Sequence, residues 1–223
     1  MSDAVAALFE ELQRVTCEEI RNHAHGDLFA GCSDVMQRTG QERSVKSFSQ
    51  PVVDEWLASA VARATGPWSE LGRRLLEATP QLPWIRSYEN LESSAELESF
   101  RSFYSYQVLA GPHFRGYEPP FAIDELLVGF SLQAPHVFYP SHHHEPPEMY
   151  GVISGTLEWQ VGGTWTTRGP GDVIVHRSHE SHAMRTLSQP ALTWVIWPRN
   201  PSCHVYMPSL DPPDQRMPAR SYT

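Results

Sequence analysis

The sequence is poor in the features that mark secreted and membrane proteins. Its three cysteines, Cys17, Cys32 and Cys203, are odd in number, widely spaced and form no CxxC pair, so they predict no disulfide framework. No stretch approaches the roughly 20 apolar residues of a membrane-spanning helix. The N-terminus turns acidic early and lacks the basic region of a secretory signal. We therefore expect a cytoplasmic protein with reduced thiols and no membrane partner.

Positive charge is also scarce. The chain has 17 basic and 26 acidic residues, which gives a net charge of −9, and Lys46 is its only lysine. Because an acidic surface repels phosphate backbones, nucleic acid is not an expected partner. What is present is an ordinary globular composition, with 40% hydrophobic and 19% charged residues in a chain of 223. That length is enough for one sizeable core, and a homodimer is compatible with it.

The first hundred residues have the periodicity of helices. Apolar residues recur at spacings of three to five after Ser2 and Asp3, either of which can cap a first helix. Further helices are predicted over residues 54–65, 69–78 and 91–100, the second of these ending before Pro80. We expect residues 1–100 to form a helical segment.

From about residue 101 the pattern changes to short runs rich in aromatic and β-branched residues between glycines and prolines. Such runs predict many short strands, and strands without intervening helices indicate a sandwich or small barrel. We expect residues 101–223 to form this β-barrel. The predicted strands are residues 103–109, 126–132, 136–139, 149–153, 157–161, 164–167, 173–176, 192–197 and 204–207.

The segment around residue 144 carries the strongest chemical signal. His142 and His144 are two residues apart, so on a strand both imidazoles project from one face. Glu148 follows after Pro146 and Pro147 have bent the chain, and His182 comes about forty residues later. Three imidazoles and a carboxylate suit one divalent ion, and Zn²⁺, Fe²⁺, Mn²⁺ and Ni²⁺ all fit this donor set.

The spacing of these residues matches known motifs. His142, His144, Glu148 and Gly155 occupy the ligand and closing-glycine positions of the first cupin motif, and Pro170-Gly171-Asp172 followed by His182 resembles the second. The resemblance implies a mainly β cupin barrel (a double-stranded β-helix or jelly roll) behind an N-terminal α-helical segment. The second motif is irregular before His182, so His179 stays open as the alternative fourth ligand. His176 and His179 are otherwise expected at the surface or behind the ligands, and His143 is expected to face away.

Two tyrosines bracket the ligand motif. Tyr150 lies two residues beyond Glu148, so on a strand it shares that face, and Tyr139 lies three residues before His142. A divalent cation favours the phenolate form of a nearby tyrosine, which makes the phenolate a usable base. Packing in the core is the alternative role for either ring.

Taken together, Tyr139, His142, His144, Glu148 and Tyr150, with His182 at this distance, resemble the cupin-type dimethylsulfoniopropionate (DMSP) lyases of marine bacteria. The resemblance covers residues 126–197 specifically and the N-terminal half only in architecture. It implies that the four His and Glu residues bind the metal, that Tyr150 abstracts a proton, and that Tyr139 lies in the substrate pocket and assists.

The resemblance also implies a carbon–sulfur lyase acting on a small zwitterion. DMSP carries a carboxylate and a sulfonium, and β-elimination would release dimethyl sulfide and acrylate. Aromatic faces can hold the sulfonium, and Tyr139, Trp159 and Trp194 are the predicted substrate-binding aromatics, with Trp197 and Phe138 nearby.

Two other classes of function remain open at this point. An Fe²⁺-dependent cupin dioxygenase could use the same ligands, and it would consume oxygen. A non-catalytic metal-binding cupin sensor is the third hypothesis, and the pair of pocket tyrosines argues against it.

Overall fold

The computed structural model describes residues 2–38, 41–88, 94–113, 116–200 and 203–207. Two short 3₁₀ turns, Gly26–Phe29 and Thr79–Gln81, lie between its helices. The helices are α1 (Asp3–Asn22), α2 (Cys32–Gln37), α3 (Pro51–Ala62), α4 (Ser69–Ala78) and α5 (Ala95–Arg101). The strands are β1 (Gln41–Glu42), β2 (Ile85–Arg86), β3 (Tyr104–Gly111), β4 (Phe121–Ala122), β5 (Leu126–Gln133), β6 (Phe138–His144), β7 (Glu148–Ser154), β8 (Leu157–Val161), β9 (Thr164–Arg168), β10 (Val173–His176), β11 (His182–Thr186), β12 (Ala191–Pro198) and β13 (Val205–Tyr206).

The helix predictions agree with the structure except at some ends. Helix α4 has the predicted bounds, and α1 follows Ser2, although the Ser2 side chain makes no capping hydrogen bond. Helix α3 begins earlier than predicted because Pro51 fits the first helical turn, where no backbone N–H is needed. For the predicted helix 91–100, residues 91–93 lie outside the described residues, and α5 begins at Ala95, where Ser94 caps it. No helix in the described part of the chain is long and apolar enough to cross a membrane.

The described strands form two mostly antiparallel sheets. The larger has the order β1-β4-β3-β5-β12-β7-β10 with β2 beside β3, and the smaller has the order β13-β6-β11-β8-β9. Neighbours distant in sequence, such as β5, β12 and β7, are typical of a jelly roll. The prediction of a mainly β cupin with helices before it is confirmed.

The strand predictions missed the extent of β6. Residues 136–139 were predicted to be a strand, but His136 has a left-handed φ of 59° and β6 continues to His144. Strand β11 and the two-residue strands β1, β2 and β4 are not among the predicted strands. At the turn after β7, Gly155 has a φ of 85°, which explains the glycine at the end of the first motif.

The helices pack on the outer face of the larger sheet. Trp68, just before α4, meets Trp194 of β12 edge-on with ring centroids 5.6 Å apart. Phe9 of α1 stacks on Phe121 of β4 at 4.0 Å. Buried apolar residues of helices and strands form one continuous cluster. The opposite face of this sheet is therefore left to meet the smaller sheet, and the functional site lies between the two.

Candidate metal centre

The smaller sheet supplies the three candidate histidine ligands. His142 of β6 and His182 of β11 are directly opposite each other in antiparallel register. His144, two residues along β6, projects from the same face as His142. All three side chains are buried, with 2% exposure or less. Alternation along β6 thus brings His142 and His144 to one face, as their spacing predicted. His143 faces the other way and stacks on Tyr206.

Glu148 joins them from the larger sheet. It is the first residue of β7 and is fully buried, and its Oε2 lies 3.3 Å from Nε2 of His144 and 3.2 Å from Nε2 of His182. His144, Glu148 and His182 each offer a donor atom, and these atoms lie within 4.8 Å of one another. These three described residues form a group that could hold a metal ion.

His142 lies beside this group and not inside it. Its ring centroid is 4.1 Å from that of His182 and 6.3 Å from that of His144. The alternative ligand His179 is elsewhere, because its ring packs 5.7 Å from His143 on the opposite face of β6. The structure therefore brings His182, and not His179, to Glu148.

Backbone carbonyls orient the three imidazoles. Nδ1 of His142 is 2.9 Å from the oxygen of Pro140, Nδ1 of His144 is 3.0 Å from that of Pro146, and Nδ1 of His182 is 2.8 Å from that of Glu180. A carbonyl only accepts, so each Nδ1 carries the hydrogen and each Nε2 keeps its lone pair. That tautomer is the one a metal-binding imidazole with this arrangement needs.

The protonation states of the group also suit a metal. Burial lowers the pKa of His144 and lowers that of His142 well below its ordinary value, so both rings are neutral near pH 7. Burial alone would raise the pKa of Glu148, but the surrounding imidazoles of His144, His176 and His182 bring it well below its usual range. Neutral imidazoles and an ionised carboxylate are the ligand forms that metal binding requires.

His176 holds Glu148 from behind. It lies opposite Glu148 in the β10–β7 register, and its Nδ1 is 2.9 Å from Glu148 Oε2. The indole of Trp159 donates to His176 Nε2 at 3.0 Å, so Nδ1 carries the hydrogen that Glu148 accepts. His176 is thus a residue behind the ligands, which was one of the two places expected for it.

Tyr150 shares the face of Glu148, as its position on β7 predicted. Both residues line the same cavity. Burial, then the charge of Glu148, raise the pKa of Tyr150 well above its ordinary value. Trp159 supports the Tyr150 ring edge-on at 4.9 Å.

Tyr139 lies on the other side of the group. Its ring stacks on His142 at 4.1 Å with an interplanar angle of 9°, and on Phe100 at 4.2 Å. Its hydroxyl forms a short hydrogen bond with that of Tyr88. Burial, then the neighbouring tyrosines, raise the pKa of Tyr139 well above its ordinary value. Both predicted tyrosines therefore lie beside the candidate ligands.

A cavity of about 60 Å³ opens on Glu148 between the two sheets. Its wall is mainly aromatic, and several of its residues come from β2–β3, outside the ligand motifs. Tyr88, Tyr104 and Tyr106 are not among the predicted site residues, because no local sequence pattern connects them with the ligands. The lining is Ser87, Tyr88, Tyr104, Tyr106, Leu127, Tyr139, Glu148, Tyr150, Val195, Trp197 and Val205.

Trp159 and Trp194, the two tryptophans predicted to bind substrate, do not line this cavity. Trp194 pairs with Gly151 of β7. The next cross-strand pair, Tyr150 and Val195, points to the cavity. A Cβ on Gly151 would lie 2.1 Å from the Trp194 indole nitrogen. The Trp194 ring therefore fills the space of a Gly151 side chain, on the face of the sheet that the helices cover. Trp159 is fully buried behind Tyr150.

Trp197, by contrast, is in the cavity wall. Its ring centroid lies 4.1 Å from that of His144, and its indole nitrogen donates to Glu148 Oε1. Val195 and Trp197 lie two residues apart on β12, so both side chains point to the face that lines the cavity. Trp194 points to the opposite face and does not reach the site. Phe138 is 46% exposed and packs near Trp165, away from the ligands.

Fold and site together define a cupin with a buried His/Glu group that could hold a metal ion and a tyrosine-rich cavity beside it. The sequence model of the dimethylsulfoniopropionate lyase family matches residues 27–193, more than half of the chain. The chain therefore belongs to the DMSP lyase family, and this membership indicates a carbon–sulfur lyase.

Individual relatives agree with this assignment. The chain is 35% identical over 79 residues to the DMSP lyase DddQ of Ruegeria pomeroyi, an alignment that covers 35% of this chain and 39% of that protein. The crystal structure of DddQ from Ruegeria pomeroyi DSS-3 has a TM-score of 0.76 at 21% identity, covering 95% of this chain and all of that one. A structure of the DMSP lyases RdDddP and RnDddQII has a TM-score of 0.71 at 24% identity, covering 91% of this chain and 98% of that one. The structural matches show the shared fold.

Proposed function

We propose that this protein cleaves DMSP to dimethyl sulfide and acrylate by metal-dependent β-elimination. The observation that carries the proposal is the position of Tyr150 two residues beyond Glu148 on β7, with both side chains lining one aromatic cavity. It places a potential base beside a potential metal ligand in a chain of the DMSP lyase family.

We assign one divalent ion to His142, His144, Glu148 and His182. The support is the convergence of His144, Glu148 and His182, the position of the His142 ring beside His182, and the three Nε2 lone pairs left free by backbone hydrogen bonds. When bound, such an ion supplies positive charge that binds the substrate carboxylate, stabilises its developing enolate-like charge and favours the Tyr150 phenolate.

Tyr150 is the proposed base. It takes a proton from the carbon next to the substrate carboxylate, and the electrons of that C–H bond form the new C=C bond. The C–S bond breaks at the β-carbon, its electron pair stays on sulfur, and neutral dimethyl sulfide leaves acrylate behind. Because the fold raises the pKa of Tyr150, the phenolate depends on nearby positive charge, and this ties the base to the metal.

Tyr139 is proposed to orient the substrate. Its ring is held between Phe100 and His142, and burial keeps its phenol protonated near pH 7. A neutral phenol can donate a hydrogen bond to a carboxylate but cannot take a proton from carbon.

The sulfonium is proposed to lie against the aromatic wall formed by Tyr104, Tyr106 and Trp197. These rings replace Trp159 and Trp194, which do not reach the cavity. Among the described residues that line it, no lysine or arginine competes for the ring faces, and Glu148 is the one carboxylate. Aromatic faces attract a desolvated cation by about 2 kcal/mol or more.

We also propose that residues 1–100 are a helical segment that completes the cupin barrel of residues 101–223. Phe100 and Tyr88 both contact Tyr139 from outside the barrel, which supports a functional reason for the segment. A cytoplasmic location is proposed as well, and it fits Cys17, Cys32 and Cys203, none of which forms a disulfide in the described part of the chain.

The test is headspace gas chromatography of the purified, metal-reconstituted protein with DMSP, combined with liquid chromatography of the products. We expect dimethyl sulfide and acrylate in equal amounts, and loss of both after treatment with a chelator. Release of dimethyl sulfide together with 3-hydroxypropionate and no acrylate would replace elimination by hydrolysis. No release at all with fully metal-loaded protein would refute the proposed function.

A further inference from the structure

Tyr88 reaches the cavity from a turn far from the ligand motifs. It follows strand β2, and its side chain is buried, with 5% exposure. Its hydroxyl is hydrogen-bonded to the Tyr139 hydroxyl, and the two rings meet edge-on with centroids 6.2 Å apart. A residue contributed by the N-terminal segment thus contacts the tyrosine at the edge of the candidate metal site.

The backbone at Tyr88 is in an uncommon conformation. Its φ of 56° lies in the left-handed region, which a bulky residue other than glycine rarely adopts. Such strain persists only where the surroundings hold the residue in place, and it concentrates at functional sites. Tyr88 therefore needs an identifiable support.

Arg101 provides that support. Its guanidinium is 8% exposed and donates a hydrogen bond of 3.2 Å to the backbone carbonyl of Tyr88. Arg101 also forms an ion pair with Glu98, and Glu98 binds Arg86 at 2.7 Å. A charged chain thus runs from Arg86 through Glu98 to Arg101. Arg101 connects this chain to Tyr88 and holds it at the cavity.

Tyr139 needs a partner of this kind. Stacking between Phe100 and His142 fixes the plane of the Tyr139 ring, but a phenolic hydrogen rotates about its C–O bond until a partner orients it. The Tyr88 hydroxyl is that partner. One phenolic hydrogen of the pair lies between the two oxygens.

We propose that Tyr88 is a positioning residue for Tyr139 and that Arg101 holds Tyr88 in place. This inference rests on the proposed function in one respect, namely that Tyr139 orients the substrate. The phenol pair itself is a property of the folded protein. In consequence, the N-terminal segment supplies part of the substrate pocket and does more than cover the barrel.

A double-mutant cycle tests the functional half of the inference. Tyr88→Phe and Tyr139→Phe should each lower kcat/KM about tenfold, the effect of losing one buried hydrogen bond. Because Tyr88 acts through Tyr139, the double variant should be no worse than Tyr139→Phe alone. A double variant that loses about a hundredfold, the product of the single effects, would show that Tyr88 acts independently and would overturn the proposal.

A measurement without turnover tests the pair directly. The chain has eight tyrosines, whose phenolic carbons can be labelled with ¹³C and assigned by Tyr→Phe variants. Tyr88→Phe should shift the Tyr139 resonance, and Arg101→Lys, if it folds with a near-native melting temperature, should shift it too. The control Tyr206→Phe changes a tyrosine that stacks on His143, on the face of β6 opposite the ligands, so it should leave both the Tyr139 resonance and kcat/KM unchanged. An unmoved Tyr139 resonance in Tyr88→Phe refutes the pair, even if the wild-type protein proves not to release dimethyl sulfide.

Discussion

His176 and Glu148 face each other across strands β10 and β7, with His176 Nδ1 2.9 Å from Glu148 Oε2. Trp159 donates to the other ring nitrogen and so sets the tautomer in which His176 donates to the carboxylate. Glu148 is thereby held in one rotamer by a residue that does not itself belong to the ligand group. Partners of this kind commonly set the affinity of a metal site.

Replacing His176 with phenylalanine should weaken metal binding by about 10- to 100-fold. The substitution keeps a ring that can stack on His182, whose centroid lies 3.8 Å away, and removes only the two nitrogens. The apparent Kd should be measured by competition with a chromophoric chelator. His113→Ala is the matched control because His113 is 59% exposed and distant from the site. A Kd for His176→Phe equal to the wild-type value would show that His176 only fills space.

Alanine at His144 or at Glu148 should strip the metal from the purified protein and abolish dimethyl sulfide release. Each residue offers a donor atom to the three-residue group, and an incomplete ligand set loses most of its affinity. Elemental analysis of the metal-to-protein ratio is the measurement. Full occupancy in both variants would eliminate the proposed site.

The same analysis decides between the two possible fourth ligands. His182→Ala should lose the metal, because His182 Nε2 lies 3.2 Å from Glu148 Oε2. His179→Ala should retain it, because that ring packs against His143 instead. The reverse result would move the fourth ligand to His179 and require a rearrangement of the turn before β11.

The metal-free protein should lose stability as the pH falls below about 6.5. Burial lowers the pKa values of His142 and His144, and it lowers that of His176 to about 3. In the unfolded chain these rings return to about 6.5, so acid adds protons to the unfolded state before the folded one. The stabilising contribution is therefore complete above pH 6.5 and decreases as the pH falls towards the folded-state values.

Melting temperatures of chelator-treated protein at pH 7.5 and pH 5.5 measure this effect. The wild type should melt several degrees lower at pH 5.5, and His176→Phe should show a smaller difference because one of the buried imidazoles is gone. His113→Ala should behave as the wild type does. A melting temperature independent of pH over this range would mean that the histidines titrate normally in the fold.

The parts of the site that follow strand alternation could be predicted from the sequence. His142 and His144 share a face of β6, and Glu148 and Tyr150 share a face of β7, because side chains two residues apart on a strand always do. The face to which Trp194 points could not be predicted in this way. Its distance from any motif left the phase of β12 undetermined, and only its register with Gly151 shows that it faces the helices.

The remaining site residues depend on contacts between distant segments. Tyr88 and Tyr104 reach the cavity because β2 pairs with β3 and β3 with β5, and pairings between segments so far apart have no local signature. The sequence left two places open for His176, the surface or a position behind the ligands. Its partner Glu148 became identifiable only through the β10–β7 register.

Turnover without oxygen should equal turnover in air at the same metal content. β-Elimination changes no oxidation state overall, since the electrons of the C–H bond form the C=C bond and those of the C–S bond leave with sulfur. Anaerobic assays with Zn²⁺-loaded and Fe²⁺-loaded protein measure this. An absolute requirement for oxygen would favour the Fe²⁺-dependent dioxygenase, and oxygen-independent release of dimethyl sulfide excludes it.

The sharpest test concerns Tyr150, whose side chain lines the cavity with Glu148 and whose ring is supported by Trp159. Tyr150→Phe keeps the ring and its packing but deletes the group that takes the proton, so kcat should fall by about 10²- to 10⁴-fold. Metal content and melting temperature should stay near the wild-type values, and Tyr139→Phe should cost less. In the parent, activity should rise with pH through an ionisation below the pKa of free tyrosine, because bound metal opposes the upward shift that burial causes. A metal-loaded Tyr150→Phe enzyme with near-wild-type kcat would place the base elsewhere, since phenylalanine has no atom that could accept the proton.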